Sequence, residues 1–492
     1  MLPESGVADA SDLVPEPLAR LPSGVPGLDQ ILDGGFLRGS CYLLEGPSGT
    51  GKTLLANQAA FHHAAAGGTV VYFSLMAESH SRLLQYLQTM EFFDPRLVGR
   101  EIQFLGGYQA LHQGVKPLLD LIRQSVRAKG ATLLVVDGLL SIRERCENGA
   151  ITGFLHELQA HSEILGCTVL LISPGEVEAF RPEHTVVDGI LDLCDTPVGL
   201  RSLRELRVRK LRGSDHFAGF HAFEISARGL HIFPRSEVLT AATETPPPEI
   251  STRLPMGVPD LDAMMGGGVP AGSTTMLIGA SGTGKTILGL SFIAAGAARR
   301  EPALYFGFYE SPDRLVGKAE AVGLPLARYR ESGQLELLWR LPLEKLIDKV
   351  AEEILAQVRQ RGVKRLVLDG LSGFRQTAAM PKRIEGFFTA LTQELRLLGV
   401  TTVLTVESTS LFGTEINEPL EGVSTLVENL VLLRYVEYRS SIRRMIGILK
   451  LRESDYDPSL RELRITPQGI QLGGTFDDAE SLLSGIARTG RS

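Results

Sequence analysis

The sequence predicts an α/β protein of two tandem domains, each with a mostly parallel central sheet and helices on both faces. Three observations predict it. First, LPSGVPGLDQILDGGFLRGSCYLLEGPSGTGKT at 21–53 returns as LPMGVPDLDAMMGGGVPAGSTTMLIGASGTGKT at 254–286, a constant offset of 233 residues. A period this long is a duplicated domain, not a solenoid repeat. Second, short apolar runs alternate with longer helical patterns in each copy, as βαβ units do. Third, 43% hydrophobic against 22% charged residues is enough for a sizeable core and excludes wholesale disorder.

In the first copy CYLLEG, TVVYFS, EIQFLG, TLLVVD and TVLLIS read as strands bounded by Gly or charge, and LLANQAAFHHAAAG and KPLLDLIRQSVRAKG as amphipathic helices. The second copy keeps the pattern with ILGLSFIAAGAARR and LEKLIDKVAEEILAQVRQRG. Each copy ends in segments that suggest added β-hairpins, LRELRVRKLRG with HAFEISARGLHIF and MIGILKLRE with LRELRITPQGIQL. Between the copies, EVLTAATETPPPEIS (237–251) has the composition of an extended, polar linker. The expected organisation is a flexible segment 1–16, a first domain 17–236, the linker 237–251, a second domain 252–474 and a polar tail 475–492.

Charge and cysteine use narrow the function. Lys plus Arg is 50 and Asp plus Glu is 57, a net charge of −7, which argues against a nucleic-acid partner. Cys41, Cys146, Cys167 and Cys194 have neither zinc nor disulfide spacing, so a cytoplasmic setting is expected. No run of eighteen apolar residues predicts a membrane span. The histidines are scattered and do not suggest a metal site.

The strongest chemical signal is GPSGTGKT (46–53) with GASGTGKT (279–286). Each follows an apolar strand and opens a helical pattern, the context of a phosphate-binding P-loop. Gly46, Ser48, Gly49, Thr50 and Gly51, and likewise Gly279, Ser281, Gly282, Thr283 and Gly284, let backbone N–H groups turn in around phosphates. Lys52 and Lys285 supply positive charge to the phosphates, and Thr53 and Thr286 offer hydroxyls to a Mg²⁺ carried with ATP. Asp137 and Asp369, each ending an apolar strand at the expected distance behind its P-loop, are the carboxylates expected to position that ion.

Taken with YESPDRL and the KLR of both copies, these segments resemble the KaiC-type proteins, of the RecA/RadA-like branch of the P-loop ATPases, from Leu21 to Gly473. The resemblance implies RecA-like domains and ring-shaped, usually hexameric assembly with nucleotide between neighbouring subunits. It also implies ATP hydrolysis, Ser/Thr autophosphorylation, and a signalling or timing role with protein partners. The family places adjacent carboxylates just after the second strand. The second copy has Tyr309-Glu310 there, leaving Glu310 as candidate base. The first offers only Glu78, displaced by one residue. A family Glu after a Thr-rich strand is kept as Glu407, and the first copy is read as having Ser173 in its place. Hydrolysis is therefore expected mainly in the second domain. The KLR segments give Lys210 with Arg212 and Lys450 with Arg452 as charges reaching a neighbour's nucleotide; the bland alternative is a solvated edge strand. Ser424 and Thr425 fall on the family's phosphoacceptor pair, although Pro419-Leu420 stands where a further family Thr would lie. In the bland reading they cap a helix-like run after Val423. Two alternative functions follow from the shared core: a DNA-dependent ATPase, and a nucleotide-dependent scaffold with weak turnover.

Overall fold

The computed structural model describes residues 18–76, 80–145, 150–175, 181–241, 252–343, 346–408, 427–438, 441–452 and 454–475, with short strands at 479–480 and 488–489. Contacts divide the chain into two compact units, 1–235 and 236–492. Each is built on a nine-stranded sheet.

In the first unit the strand order is 229–233, 220–226, 201–211, 189–198, 41–46, 168–174, 133–137, 70–74 and 102–106. The second unit repeats it as 469–475, 461–466, 441–451, 429–438, 274–279, 401–407, 365–369, 303–307 and 335–339. From 189–198 to 102–106, and from 429–438 to 335–339, neighbouring strands are parallel. The remaining three strands of each unit add the antiparallel hairpins that the sequence suggests.

Parallel strands are covered on both faces, which favours apolar residues along them. Cys41–Gly46 and Thr274–Gly279 are buried at every residue. On one face of the first sheet the helix Lys52–Ala65 presents Leu55, Ala56, Ala59, Ala60 and Phe61; its small side chains let helix and sheet approach closely. On the other face Val115–Lys129 buries Leu118, Ile122 and Val126, one per turn, and ends on Gly130 in the left-handed region (φ 64°). Each large aliphatic side chain buried in this way contributes roughly 1.5–3 kcal/mol.

Two sequence readings are corrected. Residues 237–241, assigned by composition to an extended linker, belong to the helix Ser236–Ala241, which packs on Ile384–Leu397 of the second unit. Asp348 accepts from the Ser236 N–H at 3.1 Å, and Arg383 bridges Asp348 and Glu237 at 2.9 and 2.8 Å, so buried ion pairs outweigh the local polarity. The helix-like run after Val423 is the strand Asn429–Tyr438, paired in parallel with Thr274–Gly279. An apolar run buried on both faces has no period of its own to separate strand from helix. Residues 1–16 and the linker from 242 lie outside the described residues. Within the tail, Ala479–Glu480 pairs with Arg488–Thr489.

The parallel register brings Gly46 against the next strand. A Cβ at Gly46 would sit 2.0 Å from the Leu193 carbonyl oxygen, and one at Gly279 would sit 2.2 Å from that of Leu433. Backbone cannot yield there as a side-chain tip can, so Gly46→Ala is expected to destabilise the first unit by about 3 kcal/mol. Urea unfolding of the full chain checks this, and an unshifted first transition would refute the contact.

Candidate nucleotide sites

Each P-loop joins the central strand to a helix that starts on its lysine. The preceding Gly51 and Gly284 have φ of 101° and 109°, a turn that side chains disfavour. Lys52 Nζ donates to the carbonyls of Gly46 (2.8 Å) and Pro47 (2.6 Å), and Lys285 Nζ to those of Gly279 and Ala280 (both 2.8 Å). Thr50 and Thr283 close the loops by donating to Pro47 and Ala280 at 2.9 and 2.8 Å. Burial lowers both lysine pKa values; Asp137 and Glu45 oppose the fall for Lys52, and Glu407 and Asp369 oppose it for Lys285.

The two strand-end carboxylates reach the P-loop helices identically. Thr53 Oγ1 donates to Asp137 and Thr286 Oγ1 to Asp369, both at 3.0 Å. A buried tyrosine that sequence reasoning missed adds a second donor to each: Tyr72 to Asp137 at 2.9 Å, and Tyr305 to Asp369. Burial, then the neighbouring Asp charge, raises both phenols well above their ordinary value, so they remain donors. The signal was present in both copies, as the Tyr of VVYFS and ALYFG. A hydroxyl with a carboxylate is an oxygen donor set of the kind that suits Mg²⁺, completed by phosphate oxygens and water. Among the described residues no three His, Cys, Asp or Glu side chains gather into another metal site.

Beyond this shared frame the sites differ. The first cavity, about 500 Å³, is lined by the P-loop and Asp137 and then by apolar groups that include Met76, Leu83, Leu87 and Met90. The second, about 670 Å³, adds Tyr309, Glu310, Lys318, Thr405 and Glu407. Glu310 Oε1 accepts from Lys318 Nζ at 2.5 Å, while its Oε2 is buried with no hydrogen-bond partner among the described residues. Thr405 donates to Asp369 and accepts from the Gly370 N–H. The ladders also correct a pairing of positions. Glu407 stands opposite Gly279 and Pro174 opposite Gly46, so Pro174, not Ser173, takes the place of Glu407. The residue replacing Thr405 is Ile172. Glu78 lies outside the described residues, as do Ser424 and Thr425.

The KLR segments close the strands Arg201–Leu211 and Ser441–Leu451, whose outer-side pairing covers only Glu205–Arg207 and Arg444–Ile446, so at Lys210 and Lys450 each strand is paired on its inner side alone. Lys210 Nζ donates to the carbonyls of His184 (2.8 Å) and Val187 (2.6 Å), and Arg212 to Thr185 (2.9 Å). Lys450 donates to Val427 at 2.7 Å, and Arg452 is exposed. Sequence reasoning also missed Arg444. Its Nε donates to the Gly282 carbonyl at 3.1 Å across the hairpin, and its guanidinium lies 5.9 Å from the Tyr435 ring centroid. Arg204 occupies the matching ladder position in the first unit, so an Arg recurring in both hairpins was the available clue.

A duplicated RecA-like α/β unit with an intact P-loop and strand-end aspartate in each copy is the pattern that the KaiC ATPase model matches, at residues 21–237 and again at 254–475. The chain belongs to the KaiC ATPase family. It is 28% identical to the circadian clock oscillator protein KaiC of Picosynechococcus sp., over 94% of this chain and 91% of that protein. It is 26% identical to the KaiC of Thermostichus vulcanus, over 95% and 91% of the two chains. It is likewise 26% identical to the circadian clock protein KaiC3 of a Synechocystis strain, over 95% and 94%. Membership supports nucleotide binding by a P-loop ATPase, and no helix among the described residues is long and apolar enough to cross a membrane.

One feature sets the first domain apart from its own repeat. Glu45, fully buried in the central strand, pairs with Arg181 at 2.5 Å, His184 at 3.0 Å and Arg209 at 3.4 Å. Asp192, also fully buried, pairs with Arg209 at 2.5 Å and Arg207 at 2.9 Å. In the second domain Ile278 and Leu432 occupy the two acidic positions. Burial alone would raise the Glu45 carboxyl, but the His184 hydrogen bond and the charges of His184, Arg181 and Arg209 outweigh it and hold the pKa below the ordinary value. A depressed carboxyl stabilises the fold above its unfolded pKa and loses that contribution as pH falls through the folded one. Glu45→Gln is therefore expected to cost the first domain about 2 kcal/mol at pH 7. The cost should shrink below about pH 4. Thermal unfolding at the two pH values measures both.

Proposed function

We propose that the protein is a ring-forming, KaiC-like ATPase that binds Mg²⁺-ATP in both domains and hydrolyses it mainly in the second. The observation that carries this reading is the second cavity, where Lys285, Thr286, Asp369, Glu310 and Glu407 converge. The first has the same phosphate-binding frame, but among the described residues Asp137 is its single lining carboxylate. The first domain is accordingly the nucleotide-holding, assembly-supporting half.

In this reading Lys285 and the N–H groups of 281–286 neutralise and hold the phosphates, with Arg444 steadying the loop through Gly282. Thr286 and Asp369 would hold the metal ion, which supplies charge neutralisation at the phosphate oxygens. Glu310 orients the attacking water and takes its proton while the water oxygen bonds to the terminal phosphorus and the bond to the leaving diphosphate breaks. Arg452, exposed at the end of its strand, supplies positive charge to the nucleotide of a neighbouring copy, and Lys210, Arg212 and Lys450 are proposed to brace the corresponding junctions. With a Ser or Thr hydroxyl in place of water, the same site would phosphorylate Ser424 or Thr425. The proposed partners are other copies of the chain and signalling proteins.

Steady-state ATPase assays test the division of labour. Glu310→Gln is expected to lower turnover roughly 10²-fold or more, and Glu78→Gln to do far less. A larger loss from Glu78→Gln would reverse the ranking of the domains. Lys285→Ala should abolish nucleotide binding in the second domain alone. For phosphate transfer, oligomeric protein incubated with Mg²⁺-ATP should yield phosphopeptides at Ser424 or Thr425. Their absence from protein shown to bind ATP would remove the kinase reading and leave the ATPase one.

A further inference from the structure

We propose that Lys318 is a positioning residue for hydrolysis in the second domain, holding the Glu310 carboxylate in place beside the P-loop. The inference rests on the reading that Glu310 acts on the attacking water. A useful base must be fixed in direction and still have an oxygen free to accept a proton. Glu310 has both properties. Its Oε1 is tied by the Lys318 ammonium at 2.5 Å, a short, charge-assisted contact. Its Oε2 is buried without a hydrogen-bond partner among the described residues. Both side chains line the cavity that also holds Lys285, Thr286 and Asp369.

The position of Lys318 points the same way. It lies in the helix Pro312–Glu320 and reaches back past the helix start to Glu310. Its side chain is 51% exposed, and ion pairs that open to water add little to folding stability. A structural brace is therefore a poor account of it. The repeat offers a comparison: aligning Arg82-Leu83 with Arg314-Leu315 sets Tyr86 at the position of Lys318. Tyr86 lines the first cavity, carries no positive charge, and its hydroxyl accepts from Arg82 at 3.0 Å. The ammonium thus occurs in the cavity that also contains Glu310. During the reaction the proton leaves the water for Glu310 Oε2 as the new phosphorus–oxygen bond forms and the old one breaks, and Lys318 takes no part in the transfer.

Steady-state ATP hydrolysis by the full chain tests this with Lys318→Met, Lys318→Arg, Glu310→Gln and the double variant. Lys318→Met should lower kcat roughly 10- to 100-fold, the upper figure being the loss that a 1 Å misplacement can produce, with KM changed less than about 3-fold and an unchanged thermal midpoint. Lys318→Arg should recover most of the rate. The double variant should be no slower than Glu310→Gln alone, because Lys318 acts through that carboxylate. An unchanged kcat in Lys318→Met overturns the proposal, as do multiplied losses in the double variant, which would place the ammonium on the phosphates instead. If Glu310→Gln itself hydrolyses ATP normally, the Glu310 reading fails first and is recognised separately.

Discussion

Both nucleotide sites depend on one hydrogen bond, from a threonine in the first turn of the P-loop helix to the aspartate ending the next strand but one. It spans 3.0 Å in each domain, Thr53 to Asp137 and Thr286 to Asp369. The sheet order makes it possible. The strands 41–46 and 133–137 run parallel with 168–174 between them, so their C-terminal ends open on the same side. Crevices at the carboxyl ends of parallel strands are where α/β sheets bind ligands. The tyrosine behind each aspartate gives a second donor from the buried side. The glycine that ends each central strand is fixed by the same geometry, since a larger residue would strike the adjacent carbonyl.

Much of this was legible because it is written twice. A strand–loop–helix context around GxSGTGKT, and an aspartate closing an apolar run, have physical meanings that hold in any fold. What was not legible falls into two kinds. Asn429–Tyr438 and the helix Ser236–Ala241 depend on neighbours distant in sequence: a strand buried on both faces has no period, and a short polar helix needs Arg383 and Asp348 to hold it. Pro174, Arg444 and Glu45 are a matter of register and reach. A one-residue difference in reading LLISP against LTVE exchanges Ser for Pro opposite the P-loop, and only the ladder settles it. The contact between Arg444 and Gly282 joins residues 162 apart in sequence. Glu45 did carry a signal, an acid inside the otherwise apolar CYLLEG, but its cations are Arg181, His184 and Arg209, which spacing alone does not bring together.

The two copies place their charge at different positions of one scaffold. In the first domain the polar groups lie beside the central strand. Glu45 and Asp192 are sealed among arginines and His184, and the cavity in front is lined by Met76, Leu83, Leu87 and Met90. In the second the equivalent buried positions are Ile278 and Leu432, and the charge stands in the cavity as Glu310, Lys318 and Glu407.

This difference has a physical consequence. A buried acid costs desolvation and is tolerated only when its partners are close and well aimed. The Glu45 network therefore fixes the segment from Arg181 to His184 against the strand that ends in Gly46, and Lys210 and Arg212 fasten the next residues by their carbonyls. Such an arrangement holds one geometry. The second cavity has the opposite properties. Lys318 is half exposed, Glu310 keeps one oxygen without a hydrogen-bond partner among the described residues, and Glu407 is open to solvent. Groups of that kind can change partners when a substrate arrives, which chemistry requires and rigid holding does not. The duplicated fold thus carries two cavities that share one phosphate-binding frame and differ, among the described residues, in their charged lining.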